Sequence, residues 1–336
     1  MTAPDRRPGL ALVTGGSGFI GSLLCRDLLA AGWQVRVLDP QAPERDQAGQ
    51  LEWVQASVTD AAAVAQAVAG ARRVFHLAAL SHLWVPDPAA YEAVNAQGTE
   101  TVLGAAAAAG AEAIVHTSTE VILRGWRDPS PEPVREDDPL PEAEALAGPY
   151  CRSKWRAERT ARRLAADGAP VRIVYPTVPV GPGDRWRTPP SAMLAQILFA
   201  PPPASLASLF NLVDVDAVAQ GHLLAAERGV PGGRYLLGGE HWTYDQIAAH
   251  LAPLARAPAP RRHIPYALAA GFARLDTGLA SVTKKPPQAP IEGVRLVRHP
   301  TRIDNALARR ALGWAPGDTG AALTRAAQWL LEQAAA

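Results

Sequence analysis

Apolar positions along this chain follow two alternating periods. Leu10-Ala11-Leu12-Val13 is a short apolar run that stops at Thr14-Gly15-Gly16, which reads as a buried strand meeting a turn. From Phe19 to Ala31 the apolar positions take a helical repeat, and Gly32 ends it. Gln34-Val35-Arg36-Val37-Leu38 then reads as a second strand, so strand, turn, helix and strand fit a single βαβ unit. The alternation continues with strands predicted near 52–54, 73–77, 113–116 and 171–174, and helices near 60–69, 87–109 and 150–167. Repeated βα units require a parallel sheet covered on both faces, so an α/β, doubly wound class is expected.

Beyond Val174 prolines become dense and strand patterns rarer. The expected organisation is a first domain over 1–175 with a return near 211–237, and a smaller, mixed C-terminal part over 176–210 and 238–318. A closing helix falls within 319–336. The return is expected to be a βα unit near 211–228. No repeat of solenoid period is visible.

Composition narrows the classes. The chain has 336 residues, 48% hydrophobic and 19% charged, enough to bury a substantial core. Cys25 and Cys151 cannot build a disulfide framework, and with eight scattered histidines they give no metal-ligand spacing, so no metal is expected. MTAPDRRPG lacks the apolar run of a secretory signal. The charge-free stretch 188–213 is broken by Pro189, Pro190 and Pro201 to Pro203, so a cytoplasmic protein is expected. The net charge of +1 is uneven: residues 251–303 hold nine Lys or Arg against Asp276 and Glu292, a local +7. Such a segment points to an anionic partner, either a substrate or an anionic membrane face touched peripherally. It lacks interleaved aromatic residues, which argues against nucleic acid.

Thr14-Gly15-Gly16-Ser17-Gly18-Phe19-Ile20-Gly21 sets glycines at 15, 18 and 21 between a predicted strand and a predicted helix. That context lets a turn cradle a pyrophosphate: Gly15 for tightness, Gly18 for close backbone approach, Gly21 for helix–strand packing. The helix start, with Phe19 and Ile20, offers free N–H groups. The expected fold is therefore a Rossmann-type doubly wound parallel sheet with a smaller, mixed C-terminal substrate-binding domain. Asp39 ends the second strand, where a carboxylate accepts hydrogen bonds from an adenosine ribose and repels a 2′-phosphate. This favours NAD(H); Arg45 nearby softens the preference and leaves NADP(H) open.

The chain has three lysines, Lys154, Lys284 and Lys285, against thirty arginines. Lys154 follows Tyr150 by four residues, so on a helix the two share a face. A phenol with its ordinary pKa near 10 is a poor proton carrier at neutral pH. A fixed ammonium and an oxidised nicotinamide would both lower that value. A compact ammonium also reaches ribose hydroxyls where a planar guanidinium fits less well.

These motifs together resemble the extended short-chain dehydrogenase/reductase family, the NAD-dependent epimerase/dehydratase superfamily. His76-Leu77-Ala78-Ala79 is similar to the family's fourth-strand cofactor segment, and Val94-Asn95-Ala96-Gln97-Gly98-Thr99 to its Asn-x-x-Gly-Thr helix. His116-Thr117-Ser118-Thr119 is similar to its Ser/Thr strand end, and "PTVPVGPGD" (176–184) to its loop over the nicotinamide. The resemblance implies that Tyr150 carries the proton, that Thr119 hydrogen-bonds the substrate oxygen, and that Lys154 completes the catalytic set. It implies a cofactor site at Gly15, Gly18, Phe19, Ile20, Gly21, Asp39, Val58, Leu77, Ala78, Ala79, Asn95, Thr117, Tyr150, Lys154, Pro176 and Val178, with Asn95 holding backbone near the cofactor. Ser57 stands where many relatives hold an Asp near the adenine, and Tyr175 stands where an Arg is common.

The resemblance also bears on the reaction. Sugar-nucleotide dehydratases carry Thr-Asp-Glu; Thr119-Glu120-Val121 lacks the second acid, which disfavours water loss. Epimerases often carry an Arg-Asp pair where Phe210-Asn211 stands, which argues against a nucleotide-sugar, although the basic segment could supply diphosphate ligands. "HLAALSHLWVPDP" (76–88), "YPTVPVGPGD" (175–184) and "NLVDVDAVAQGHLLAAERG" (211–229) resemble the dihydroflavonol-reductase and 3β-hydroxysteroid-dehydrogenase branch, and also bacterial proteins labelled hopanoid-associated sugar epimerases. The expectation is an NAD(P)H-dependent carbonyl reductase, or reversible dehydrogenase, for a bulky hydrophobic carbonyl such as a lipid or sterol ketone. The alternatives are an NAD-dependent nucleotide-sugar epimerase and a non-catalytic dinucleotide-binding protein. Ser81, His82, Trp84, Thr119, Met193 and Phe210 are expected to meet the substrate. The apolar helical pattern 264–282, ending at Lys284-Lys285, is read either as domain core or as a surface for an anionic membrane. A homodimer is expected from the family.

Overall fold

The computed structural model describes residues 8–44, 47, 49–129, 132–258 and 262–335; Arg45 lies outside them. The strands are β1 (Leu10–Thr14), β2 (Gln34–Leu38), β3 (Glu52–Val54), β4 (Ala71–His76), β5 (Ala113–Thr117), β6 (Val171–Pro176), β7 (Val178–Val180), β8 (Leu209–Asp214), β9 (Arg234–Leu237) and β10 (Glu240–Thr243). The helices of the first half are α1 (Phe19–Ala30), α2 (Ala61–Val68), α3 (Ala89–Tyr91), α4 (Gly98–Ala108) and α5 (Pro149–Ala166). Those of the second are α6 (Pro189–Phe199), α7 (Val215–Arg228), α8 (Tyr244–Leu251), α9 (Tyr266–Thr283), α10 (Ile291–Leu296), α11 (Ala306–Leu312) and α12 (Thr319–Ala335).

Seven strands form one parallel sheet in the order β3-β2-β1-β4-β5-β6-β9. Consecutive residues of its central strands, Leu12-Val13, Val74-Phe75 and Ile114-Val115, are apolar and fully buried because both faces are covered. Leu24 and Leu28 of α1 pack with Val218 of α7 on one face. Val64 of α2, Leu103 of α4 and Ala161 of α5 pack on the other. The strand order reverses between β1 and β4, which opens a crevice at the carboxyl edge. A second sheet, β10-β8-β7, pairs β8 parallel to β7 and antiparallel to β10. Leu194 and Ile197 of α6, Ile247 of α8, and Leu323 and Leu330 of α12 build a core against it.

This is the α/β architecture expected, a Rossmann-type sheet with a smaller mixed C-terminal region. Three details differ. β8 belongs to the second sheet, so the return to the first is made by α7 and β9 rather than by a βα unit at 211–228. The strands β7, β9 and β10 are three or four residues long, too short for a period to register. The helix expected over 87–109 contains a wider π-type segment, Glu92–Gln97, between α3 and α4.

Candidate functional site: a dinucleotide cradle with a half-buried tyrosine and a buried lysine

The glycine turn is packed so closely that side chains do not fit. Gly15 has φ +74, and a Cβ there would lie 2.6 Å from the Ala78 nitrogen. At Gly21 a Cβ would lie 2.1 Å from the Gly15 carbonyl oxygen. Gly18 is the N-cap of α1 and brings no side-chain cap, which leaves the first N–H groups open to an anion. Asp39 at the end of β2 accepts from the Ser17 N–H at 3.1 Å through Oδ2 and from the Gln41 N–H at 2.9 Å through Oδ1. Burial raises its carboxyl above the ordinary value, and those two bonds oppose the rise. Each oxygen keeps a lone pair for a ribose hydroxyl. The cradle thus fits a dinucleotide in shape and in donor set.

The turn opens into one cavity of about 750 Å³ along the carboxyl edge of the sheet. Tyr150 enters it from the first turn of α5 and Lys154 from the next. Lys154 is buried, and its Nζ donates to the Thr117 carbonyl at 2.8 Å. Burial lowers its ammonium to about 8. The Thr117 hydroxyl meets Nε2 of His222 at 2.9 Å. Burial holds the Tyr150 phenol above its ordinary value, the neighbouring Cys151 thiol and the acids Glu120 and Glu292 add to this, and a hydrogen bond with Thr119 opposes it. In the chain alone the phenol is set by burial first, and the Lys154 ammonium is bonded to the Thr117 carbonyl.

Thr119 donates to Oε2 of Glu120 at 3.1 Å. Glu120 is pushed up to about 7, by burial first, against the opposing Thr119 bond and Arg124 charge. Ionised, Glu120 takes the Thr119 hydrogen; protonated, it gives its own and frees that hydrogen for Tyr150 or a substrate oxygen. Arg124 also lines the cavity, and its Nη2 donates to the carbonyls of Leu296 and His299 at 3.3 and 3.4 Å. Glu292 of α10 accepts the backbone N–H groups that begin α5.

Most residues singled out from the sequence converge here. Gly15, Gly18, Phe19, Ile20, Gly21, Asp39, Val58, Leu77, Ala78, Ala79, Thr117, Pro176 and Val178 line the cavity along the cradle. Ser81, His82, Thr119, Tyr150, Lys154, Met193 and Phe210 line it further out. Two do not. Asn95 sits behind the wall, where its amide donates to the Leu80 carbonyl at 3.1 Å and the Ser153 hydroxyl at 2.9 Å, and its Oδ1 accepts from the Leu80 N–H at 2.8 Å. It ties the loop after β4 to α5 and so holds the Leu80 backbone beside the cavity, the role the resemblance implies for it. Trp84 is also outside the wall; Leu83 takes that place. Neighbours in an irregular loop carry no period that would tell the two apart. Arg124, Trp126, Trp186 and Ile303 also line the cavity, and no motif or period along the chain marks them. Trp186 donates to the Ser17 carbonyl at 3.0 Å and roofs the glycine turn.

Residues 11–238 match the NAD dependent epimerase/dehydratase family. A protein of Synechocystis, provisionally named a dihydroflavonol 4-reductase, is 34% identical over 94% of this chain and 93% of its own. The crystal structure of gox2253 is 32% identical, with a TM-score of 0.82 over 96% of this chain and 98% of its own. DesIV of Streptomyces venezuelae, a dTDP-glucose 4,6-dehydratase solved with NAD, is 26% identical, with a TM-score of 0.75 over 97% of this chain and 98% of its own. That structure holds NAD, in keeping with the carboxylate of Asp39; NADP remains open. Placement in the dihydroflavonol-reductase and 3β-hydroxysteroid-dehydrogenase branch is corrected: the solved structures matched along nearly the whole chain include DesIV, a nucleotide-sugar enzyme, and neither the provisional name of the Synechocystis relative nor a 3β-hydroxysteroid dehydrogenase of Mycobacterium tuberculosis, matched over only 53% of this chain, outweighs it. Short shared segments carry the common cofactor site, which does not distinguish branches. Fold, cradle, Tyr-x-x-x-Lys pair and family match agree: this chain is a member of the NAD-dependent epimerase/dehydratase family.

Proposed function

We propose that this chain is an NAD-dependent oxidoreductase acting on a nucleotide-linked sugar, and that it oxidises and re-reduces a ring hydroxyl, as an epimerase does. The observation that carries the oxidoreductase step is the convergence of half-buried Tyr150 with buried Lys154 and Thr119 around the end of a cavity that begins at the glycine cradle. The nucleotide-linked sugar is supported by the family and by the likeness to DesIV. Arg124 supports it too, as a cation in the cavity wall beyond Tyr150.

A bound NAD supplies the hydride acceptor and, in the return step, the donor. Tyr150 would act from its phenolate, the form that the charges of Lys154 and an oxidised nicotinamide favour, taking the hydroxyl proton as the carbinol carbon is oxidised and giving it back on reduction. Thr119 holds the substrate oxygen beside the phenol. Lys154, fixed by Thr117, supplies the nearby positive charge. Val121 follows Glu120 where water loss needs a second acid, so the reaction stops at oxidation and reduction.

One observation favours a second reading, reduction of a bulky apolar carbonyl. The outer wall is built largely of Leu83, Trp126, Met193, Phe210, Leu296 and Val297. An apolar pocket with a few polar anchors suits a lipid-like ketone.

Incubation of the purified protein with UDP-glucose and dTDP-glucose, beside a set of apolar ketones, separates the readings. The expected result is nucleotide-sugar interconversion with no net NADH consumption, by a protein that keeps its dinucleotide through purification. Steady NADH consumption with apolar ketones only would establish the second reading. Full activity in Tyr150→Phe would sink both.

A further inference from the structure

The helix α9 buries Ala269, Ala270, Ala273 and Ala280, and turns its large apolar residues outward. Leu268, Phe272, Leu275, Leu279 and Val282 are exposed by 64, 54, 78, 63 and 80%. At roughly 100° per residue these five fall within an arc of about 80°, opposite the alanines, and run about 21 Å along the axis. Scattered exposed apolar residues need no explanation, but a continuous stripe marks a contact surface.

The charge beside the stripe is net positive. Arg262, Arg274, Lys284 and Lys285 are exposed around it. The two acids of the basic segment are engaged elsewhere: Glu292 is buried at the start of α5, and Asp276 accepts from the Ala289 N–H at 2.9 Å. Asp245, near the other end, bonds His263 at 3.0 Å. Two copies paired along this stripe, in either direction, would bring cations against cations along the helix. An anionic lipid surface answers both the apolar stripe and its basic flanks.

We propose that α9 docks the protein on an anionic membrane surface, with the stripe in the headgroup region and Arg274, Lys284 and Lys285 toward lipid phosphates. The rim of the cavity lies beside this helix: Lys284 donates to the Pro86 carbonyl at 3.1 Å, and α10, packed on α9, supplies Gly293 and Leu296 to the wall. Docking therefore sets the mouth of the site near the bilayer. The inference is independent of which substrate the site takes.

Co-sedimentation of the full chain with vesicles tests this. One set contains phosphatidylcholine alone, the other phosphatidylcholine and phosphatidylglycerol in equal parts. Binding is expected only with the mixed vesicles, weakening as salt rises. Leu275→Glu with Leu279→Glu is expected to abolish binding while leaving the melting temperature unchanged, because both side chains are in solvent. Lys284→Glu with Lys285→Glu is expected to cost roughly tenfold or more in binding. Wild-type protein that stays in the supernatant with both vesicle types would overturn the proposal. So would a solution dimer that the Leu275→Glu, Leu279→Glu variant dissociates, since the stripe would then be covered by a second copy.

Discussion

The carboxylate of Glu292 accepts the backbone N–H of Tyr150 at 3.2 Å and that of Cys151 at 2.8 Å, reaching back from α10 to the start of α5. The N-cap of α5 is Gly148, which has no side chain to do this. A Cβ on Gly148 would lie 2.4 Å from the same carboxylate. One buried acid thus fixes the turn that carries the reactive phenol. Replacing Glu292 with Ala removes that cap and is expected to cost about 1–2 kcal/mol. Thermal unfolding measures the loss. The turnover number should fall with little change in dinucleotide affinity, and Glu292→Gln, which keeps an acceptor, should restore part of both losses. Unchanged stability in Glu292→Ala would refute the cap.

Tyr150→Phe removes the proton carrier while leaving the ring in place. Its turnover number is expected to drop by roughly 10²–10⁴-fold. Binding of NADH, followed by nicotinamide fluorescence, should stay close to wild type. Lys154→Arg should not substitute for wild type, because the ammonium is buried against the Thr117 carbonyl with no room given for a planar fork.

Glu120 carries a pH dependence whose sign is fixed. Its folded-state carboxyl lies at about 7 against an ordinary 4.5, so the folded chain binds that proton more tightly than the unfolded chain. The associated stability is complete below pH 4.5 and is lost as pH rises through about 7. The full loss is on the order of 3 kcal/mol. Glu120→Gln does not titrate, so its melting temperature relative to wild type should climb between about pH 5 and 8. Parallel melting curves for the two proteins across that range would refute the assignment. Turnover should lose a limb of its pH profile in the variant, because Glu120 sets which way the Thr119 hydrogen points.

Asp39 is the nearest carboxylate to the expected ribose position, and each of its oxygens already holds one backbone N–H. Asp39→Ala should weaken NAD binding by roughly tenfold or more, since hydrogen bonds to charged groups are among the stronger ones. The penalty against NADP should shrink at the same time. Calorimetric titration with both dinucleotides checks the ratio. Gly21→Ala should be worse than loss of affinity: the added methyl would meet the Gly15 carbonyl at 2.1 Å, so the turn itself must shift.

The cradle and the Tyr–Lys pair were legible in the sequence because each depends on neighbours in the chain. A glycine turn, a strand before it and a helix after it lie within a dozen residues, and a helix fixes the direction of residues four apart. The doubly wound sheet was legible for a like reason, since strands buried on both faces carry consecutive apolar residues. Asn95 shows the limit: its motif marked it as a holder of backbone near the cofactor, but its partners, the Leu80 backbone and the Ser153 hydroxyl of α5, are set by tertiary packing. Glu120 and Arg124 owe their roles to burial, which sets a carboxyl at about 7 and has no signature along the chain. The apolar run of 264–282 predicted a helix, yet its composition suits a core as well as a surface. Which face of α9 meets the protein and which meets solvent, like the reach of Glu292 to Tyr150, was decided by long-range packing. Local periodicity specifies an element and its stripe; only tertiary contact specifies what that stripe touches.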